Sequence, residues 1–228
     1  MPRAGARNTV RSGRWLAVMV AALAVSAPSV RAENHRATLL GHLDAREVYK
    51  DVWGYHAPDG TEIAIVGTSL GTQFVDVTDP TAPVELLFLA GPPSGWRDIK
   101  TYGTYAYIVV DNNSNEALQI VDLADPLHPV KVAGGSEFFR RSHNLFVDGS
   151  TLYAVGTDRA QGYVALDLSD PVHPTLLGTF ADFYFHDIYV ENGLAYAAQV
   201  YNPAFLAILD VRDPAHPEVL SRVPYDGA

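Results

Sequence analysis

Cysteine is absent from all 228 residues, so disulfides, iron–sulfur clusters, thiol redox couples and cysteine nucleophiles are excluded. Stability must come from a packed core, and 48% apolar residues supply the material for one. Long apolar runs are nearly as scarce. The longest, Trp15 to Val25, falls short of the roughly 20 residues that a membrane-spanning helix needs. Basic residues are few, and five of the 16 Lys+Arg lie in the first 32 positions, where there is no acid. Residues 33–228 therefore hold 11 Lys+Arg against 26 Asp+Glu, a net charge of −15. Such a surface lacks the basic footprint that phosphate backbones require, so nucleic acid is not an expected partner. Helical periodicity is also missing after residue 32.

The N-terminus carries Arg3, Arg7, Arg11 and Arg14, then the apolar run, then Val30-Arg31-Ala32. Positive charge, a short apolar segment and a small-x-Ala site form a secretory signal peptide over residues 1–32, with an uncleaved anchor as the competing reading. The mature chain, residues 33–228, is expected outside the cytoplasm, extracellular, at the cell surface or in the periplasm, with no transmembrane segment.

One phrase occurs four times: Asp76-Val-Thr-Asp-Pro80, Asp122-Leu-Ala-Asp-Pro126, Asp167-Leu-Ser-Asp-Pro171 and Asp210-Val-Arg-Asp-Pro214. The leading aspartates are 46, 45 and 43 residues apart, the length of one propeller blade of four short strands. The second repeat shows them: Arg97–Tyr102, Tyr105–Val110, Ala117–Val121 and Pro129–Val132, rich in β-branched and aromatic residues and separated by Gly, Asn and Asp-Pro turns. The expected fold is all-β, a β-propeller of four-stranded antiparallel blades filling residues 33–228. Proline fixes its own φ and keeps the preceding residue out of the helical region, while the aspartate accepts backbone N–H groups further along the turn. His128, His173 and His216, each before a second proline, belong to separate loops and read as structural.

Residues 34–44 resemble 173–182, an outermost strand with no blade in front of it. Propellers close by letting one terminus complete the blade at the other end. From this strand and the repeat spacing, the expectation is four blades of an incomplete ring, truncated at the C-terminus.

Candidate site residues stand at the head of each blade's first strand: Lys50-Asp51, Arg97-Asp98, His143-Asn144 and His186-Asp187. Radial symmetry is expected to gather Asp51, Arg97, Asp98, His143, Asn144, His186 and Asp187 around one mouth of the central channel. Imidazole and carboxylate suit zinc, and Asp and Asn oxygens suit calcium, so His143, His186 and Asp187 are the candidate ligands of a divalent metal. The competing reading is structural, since Asp and Asn at strand heads commonly accept backbone N–H bonds. Asp111-Asn-Asn-Ser-Asn115 has calcium-loop oxygens but Glu116 where glycine is required, and reads as a polar loop. Ser142 lies in no nucleophile-elbow motif. Phe138–Arg141 and Phe183-Tyr-Phe185 line a mouth or, more simply, pack between blades.

Leu118-Gln-Ile-Val-Asp-Leu-Ala-Asp-Pro126 and Phe74-Val-Asp-Val-Thr-Asp-Pro80 resemble the LVIVD repeat. Together with the signal peptide, Ser142–Asp148 and His186–Val190, they make the chain similar to the bacterial choice-of-anchor B family. The resemblance spans residues 37–223 and implies an exported propeller without an established activity. A binding or interaction module at the cell envelope, with a protein or glycan partner, is the function expected. The alternative is a metal-dependent hydrolase at the channel mouth.

Overall fold

A computed structural model describes residues 38–225; the proposed signal peptide lies outside them. The first blade comprises β1 (Tyr49–His56), β2 (Glu62–Thr68), β3 (Gly71–Asp76) and β4 (Val84–Ala90). The second comprises β5 (Arg97–Tyr102), β6 (Tyr105–Val110), β7 (Leu118–Asp122) and β8 (Val130–Gly135). The third is β9 (Asn144–Asp148), β10 (Thr151–Val155), β11 (Tyr163–Asp167) and β12 (Thr175–Phe180). The fourth is β13 (Asp187–Glu191), β14 (Leu194–Gln199), β15 (Phe205–Asp210) and β16 (Glu218–Pro224). Each blade is a separate antiparallel sheet in simple up-and-down order. No helix among the described residues is long and apolar enough to cross a membrane.

The repeat extends to the irregularities. In every blade the register between third and outermost strand shifts at the same place, at Phe74/Val75, Ile120/Val121, Ala165/Leu166 and Ile208/Leu209. A bulge adds local twist, which splays the outer strand away from the channel. The Asp-Pro loops follow the turn chemistry expected of them. Asp79, Asp170 and Asp213 accept the N–H of the residue two positions on, and Asp76, Asp122, Asp167 and Asp210 do the same in the preceding turn. His128, His173 and His216 each place Nδ1 3.0–3.1 Å from the carboxylate of the same loop and remain exposed.

Three apolar clusters fill the three spaces between successive blades. Phe74, Ile99 and Ile108 centre the first, Tyr107, Leu145 and Val164 the second, and Tyr163, Phe185, Ile188 and Leu209 the third. Tyr107 and Tyr163 extend the last two seams by donating to the carbonyls of Pro171 and Pro214 in the following blade. Packing between innermost strands runs from β1 to β5, β5 to β9 and β9 to β13, and no comparable packing joins β13 to β1. The arc is open. Val52 shows this at the first blade: it is 62% exposed, whereas its equivalents Ile99, Leu145 and Ile188 are at most 3% exposed.

The segment before β1 departs from expectation. Residues 38–48 form no regular strand, and β1 begins at Tyr49. Yet a Cβ on Gly41 would fall 2.3 Å from the Pro80 carbonyl oxygen, much as one on Gly178 would fall 2.6 Å from that of Pro214. The segment thus occupies against the first blade the place that β12 occupies against the fourth, with no ladder to a neighbouring strand among the described residues.

Candidate functional site

Strand pleating decides where the eight strand-head residues go, because consecutive side chains on a strand point to opposite sides. They do not share one mouth. His143 and His186 line a cavity of about 730 Å³, together with Asp111, Arg141, Tyr184 and Gln199 among others. Asp51, Asp98, Asn144 and Asp187 line a different one of about 430 Å³, with Lys100 and Tyr189. The expected single rim is therefore corrected to two sites with different chemistry.

The second of these is a set of fasteners. Asp51 Oδ2 accepts the N–H of Ile99 in the next blade at 3.2 Å, and Asp98 Oδ2 accepts that of Leu145 at 2.8 Å. Asn144 Nδ2 donates to Asp187 Oδ1 at 2.9 Å, while Asp187 also holds the N–H of Ile188. Asp51, Asp98 and Asn144 thus each bond the innermost strand of the following blade, a capping role exercised between blades, while Asp187 receives the last of these bonds and caps its own strand. Lys100 Nζ lies 2.8 Å from Asp98 Oδ1 and 4.6 Å from the centre of the Trp53 ring. Burial pushes the Asp98 carboxyl up to about 6, Lys100 and the Leu145 N–H opposing the shift and neighbouring Asp51 adding to it.

Arg97 is a second correction. Its side chain is wholly buried, with Nε donating to the Thr68 carbonyl at 3.0 Å and Nη2 to the Pro92 carbonyl at 2.7 Å. It ties β5 to the first blade away from solvent, with Nη1 buried and unpartnered, and it lines neither strand-head cavity. Desolvation lowers its guanidinium to about 10, still charged at neutral pH.

The histidine cavity has a different character. Each histidine opens its strand pair by donating its backbone N–H across the blade, His143 to Val155 and His186 to Ala198. The two imidazoles stand 4.4 Å apart between ring centres, tilted by 55°, and Trp96 stacks with His143 at 5.5 Å. His143 Nδ1 lies 2.9 Å from Asp111 Oδ2. With the proton on Nδ1, the carboxylate fixes the ring and leaves Nε2 as an acceptor. Gly156, at φ +65°, lets this ring in: a Cβ there would meet His143 Cβ at 2.6 Å. Desolvation and neighbouring His143 lower the His186 pKa, against the opposing pull of Asp187 and Asp111, so the ring is neutral at pH 7.

The proposed metal set is not assembled. Asp187 belongs to the fastener series, and among the described residues no three His, Cys, Asp or Glu side chains converge to hold an ion. The loop from Asp111 to Asn115 gathers no calcium cage either, since Asp111 holds His143 and Asn112 Nδ2 donates to the Pro93 carbonyl.

Sequence reasoning missed Asp111 as the partner of His143, because the contact spans 32 residues. Within Phe183-Tyr-Phe185, both phenylalanines enter the core and Tyr184 turns to the cavity, where its ring lies 4.9 Å from that of Tyr201. Alternation within the triplet was the available signal. Burial raises the Tyr184 pKa to about 12, so its hydroxyl stays protonated. Gly67-Thr-Ser-Leu-Gly71 has nucleophile-elbow spacing, yet it forms the β2–β3 hairpin and leads to no helix.

Residues 96–133 and 143–182 match the LVIVD repeat family model. The two matched segments are the second and third blades. Among solved structures, the chain is similar to a protein of Bacteroides uniformis provisionally assigned as a 6-phosphogluconolactonase, with TM-score 0.59 and 13% identity over 76% of this chain and 54% of that one. It is also similar to hydrazine synthase of Kuenenia stuttgartiensis, with TM-score 0.50 and 15% identity over 76% and 53%. At such identities the likeness shows the fold, a β-propeller arrangement, and nothing of the chemistry. The chain spans about half the length of these structures. No curated protein matches the sequence.

Proposed function

We propose that the chain is an exported β-propeller binding module of the bacterial choice-of-anchor B type, acting at the cell surface, and that it takes its ligand in the His143–His186 cavity. The carrying observation is the division of labour at the strand heads. Asp51, Asp98, Asn144 and Asp187 hydrogen-bond blades to one another, while His143 and His186 face an open cavity with Arg141, Tyr184 and Tyr201. A volume of about 730 Å³ lies within the roughly 300–1,000 Å³ of small-molecule sites. The LVIVD repeats and the rigid propeller scaffold support a recognition role, and the signal peptide and anchor-family likeness in the sequence support the address. The metal-dependent hydrolase reading has no comparable support, because its third ligand is committed elsewhere.

The test is retention of the purified exported protein on isolated bacterial envelope fractions. His143→Ala and Tyr184→Ala should lose retention, and His173→Ala, on an exposed Asp-Pro loop, should keep it. Equal retention of all three variants, or none by the wild type, contradicts the proposal.

A further inference from the structure

The chemistry of the cavity wall narrows what it accepts, and the argument rests on the binding reading above. An ionic ligand of either sign meets an opposing charge: Asp182 and Asp111 face an anion, and Arg141 faces a cation. An apolar ligand fails for a different reason. Gln199, 9% exposed, brings to this wall a side-chain oxygen, Oε1, that is buried without a hydrogen-bond partner, and covering such an acceptor with hydrocarbon leaves its desolvation cost in place. What the wall offers is a mixture. The Arg141 guanidinium only donates, the carboxylates only accept, and the Gln161 amide and the tyrosine hydroxyls do both.

Vicinal hydroxyl groups satisfy such a mixture, because each one donates and accepts at once. The aromatic part fits the same ligand. Tyr201, 62% exposed, pairs with Tyr184 at 4.9 Å between ring centres and presents ring surface beside the polar groups. A pyranose has an apolar C–H face to lay on an aromatic ring and hydroxyls around its edge.

We infer that the His143–His186 cavity binds a neutral saccharide of one or two rings, with Tyr184 and Tyr201 as the stacking platform and Gln199 Oε1 accepting a ligand hydroxyl. His143 Nε2, turned outward by the Asp111 contact, accepts a second hydroxyl.

The experiment is a titration of the exported chain with maltose, cellobiose and N,N′-diacetylchitobiose, followed through the ring resonances of His143 and His186. Glucose 6-phosphate, galacturonic acid and glucosamine serve as charged counterparts. At least one neutral disaccharide should bind at or below about 10 mM and shift both rings. Tyr201→Ala, at an exposed position whose loss leaves the core intact, should weaken that binding about tenfold. Gln199→Leu, which keeps the shape and removes the acceptor, should weaken it by roughly 2–10-fold. Tighter binding of a charged sugar with both rings shifting overturns the neutral-saccharide assignment and leaves the cleft as a binding site. No shift at either ring with any of the six overturns both.

Discussion

Asp98 is the fastener whose removal is most informative, because its two oxygens have separate duties. Oδ2 holds the Leu145 N–H across the blade seam at 2.8 Å, and Oδ1 pairs with Lys100. Asp98→Ala leaves the buried Leu145 donor unsatisfied, at a cost of about 1–3 kcal/mol. Lys100 keeps the Ile99 carbonyl at 3.0 Å and the Trp53 ring, so the loss should not grow far beyond that. In a domain of this size each kcal/mol moves Tm by about 2–4 °C. Asp98→Asn keeps an acceptor for Leu145 and sheds the buried charge, so at pH 7 its stability should stay within about 1 kcal/mol of wild type. The pH dependence separates the variants further. A carboxyl raised to about 6 binds its proton more tightly in the folded than in the unfolded state. Its contribution is therefore fully present below pH 4 and lost as pH rises through 6, by up to about 3 kcal/mol. The turn aspartates Asp79, Asp167, Asp170, Asp210 and Asp213 are lowered by hydrogen bonds from their own turns and act in the opposite direction as pH falls. The quantity to read is thus the difference between wild type and Asp98→Asn in chemical denaturation from pH 4 to 7. Wild type should gain on the asparagine variant as pH falls. Parallel curves, or an Asp98→Ala protein as stable as wild type, would refute the seam account.

Three further outcomes follow from the same geometry. Arg97→Met strips donors from the buried Thr68 carbonyl and the half-buried Pro92 carbonyl and should cost about 1–3 kcal/mol in urea denaturation while leaving ligand retention intact; lost retention at unchanged stability would return Arg97 to a ligand-binding role. The His186 ring, its pKa lowered by burial and by His143, should titrate in NMR below free histidine. It contributes stability present above the free-histidine pKa and lost as pH falls through its own depressed value, so His186→Gln should flatten that acid limb; a normal titration contradicts the burial argument. Gly156→Ala places a Cβ against His143 at a left-handed backbone position, and should cost about 1–2 kcal/mol and displace the His143 ring; an unmoved His143 resonance would show that the ring has room.

Much of the architecture was legible because it is periodic. Arg97–Tyr102 and Tyr105–Val110 are strands with the bounds their composition suggests, since Gly103-Thr104 can only turn between two β-rich runs. The Asp-Pro aspartates behave as turn acceptors because that chemistry is local, two residues from acid to N–H. The strand-head residues were recognisable as a series, yet their destinations were not. His143 and Asn144 are neighbours in sequence and line different cavities, a consequence of the pleat that radial symmetry alone conceals. The burial of Arg97 depends on carbonyls at Thr68 and Pro92, and the Asp111 contact on a loop from a different blade. Neither leaves a local mark. Residues 38–44 were expected as an outer strand, and they lie in that place without a ladder partner.

The account turns on which histidines meet the ligand, and the chain carries its own controls. The ring resonances of all its histidines can be followed together by heteronuclear NMR as the best-binding neutral disaccharide is added. His143 and His186 should shift together and saturably, while His128, His173 and His216, held in their Asp-Pro loops, should stay fixed. Shifts at the loop histidines with His143 and His186 unmoved would contradict the assignment of the cavity as the binding site.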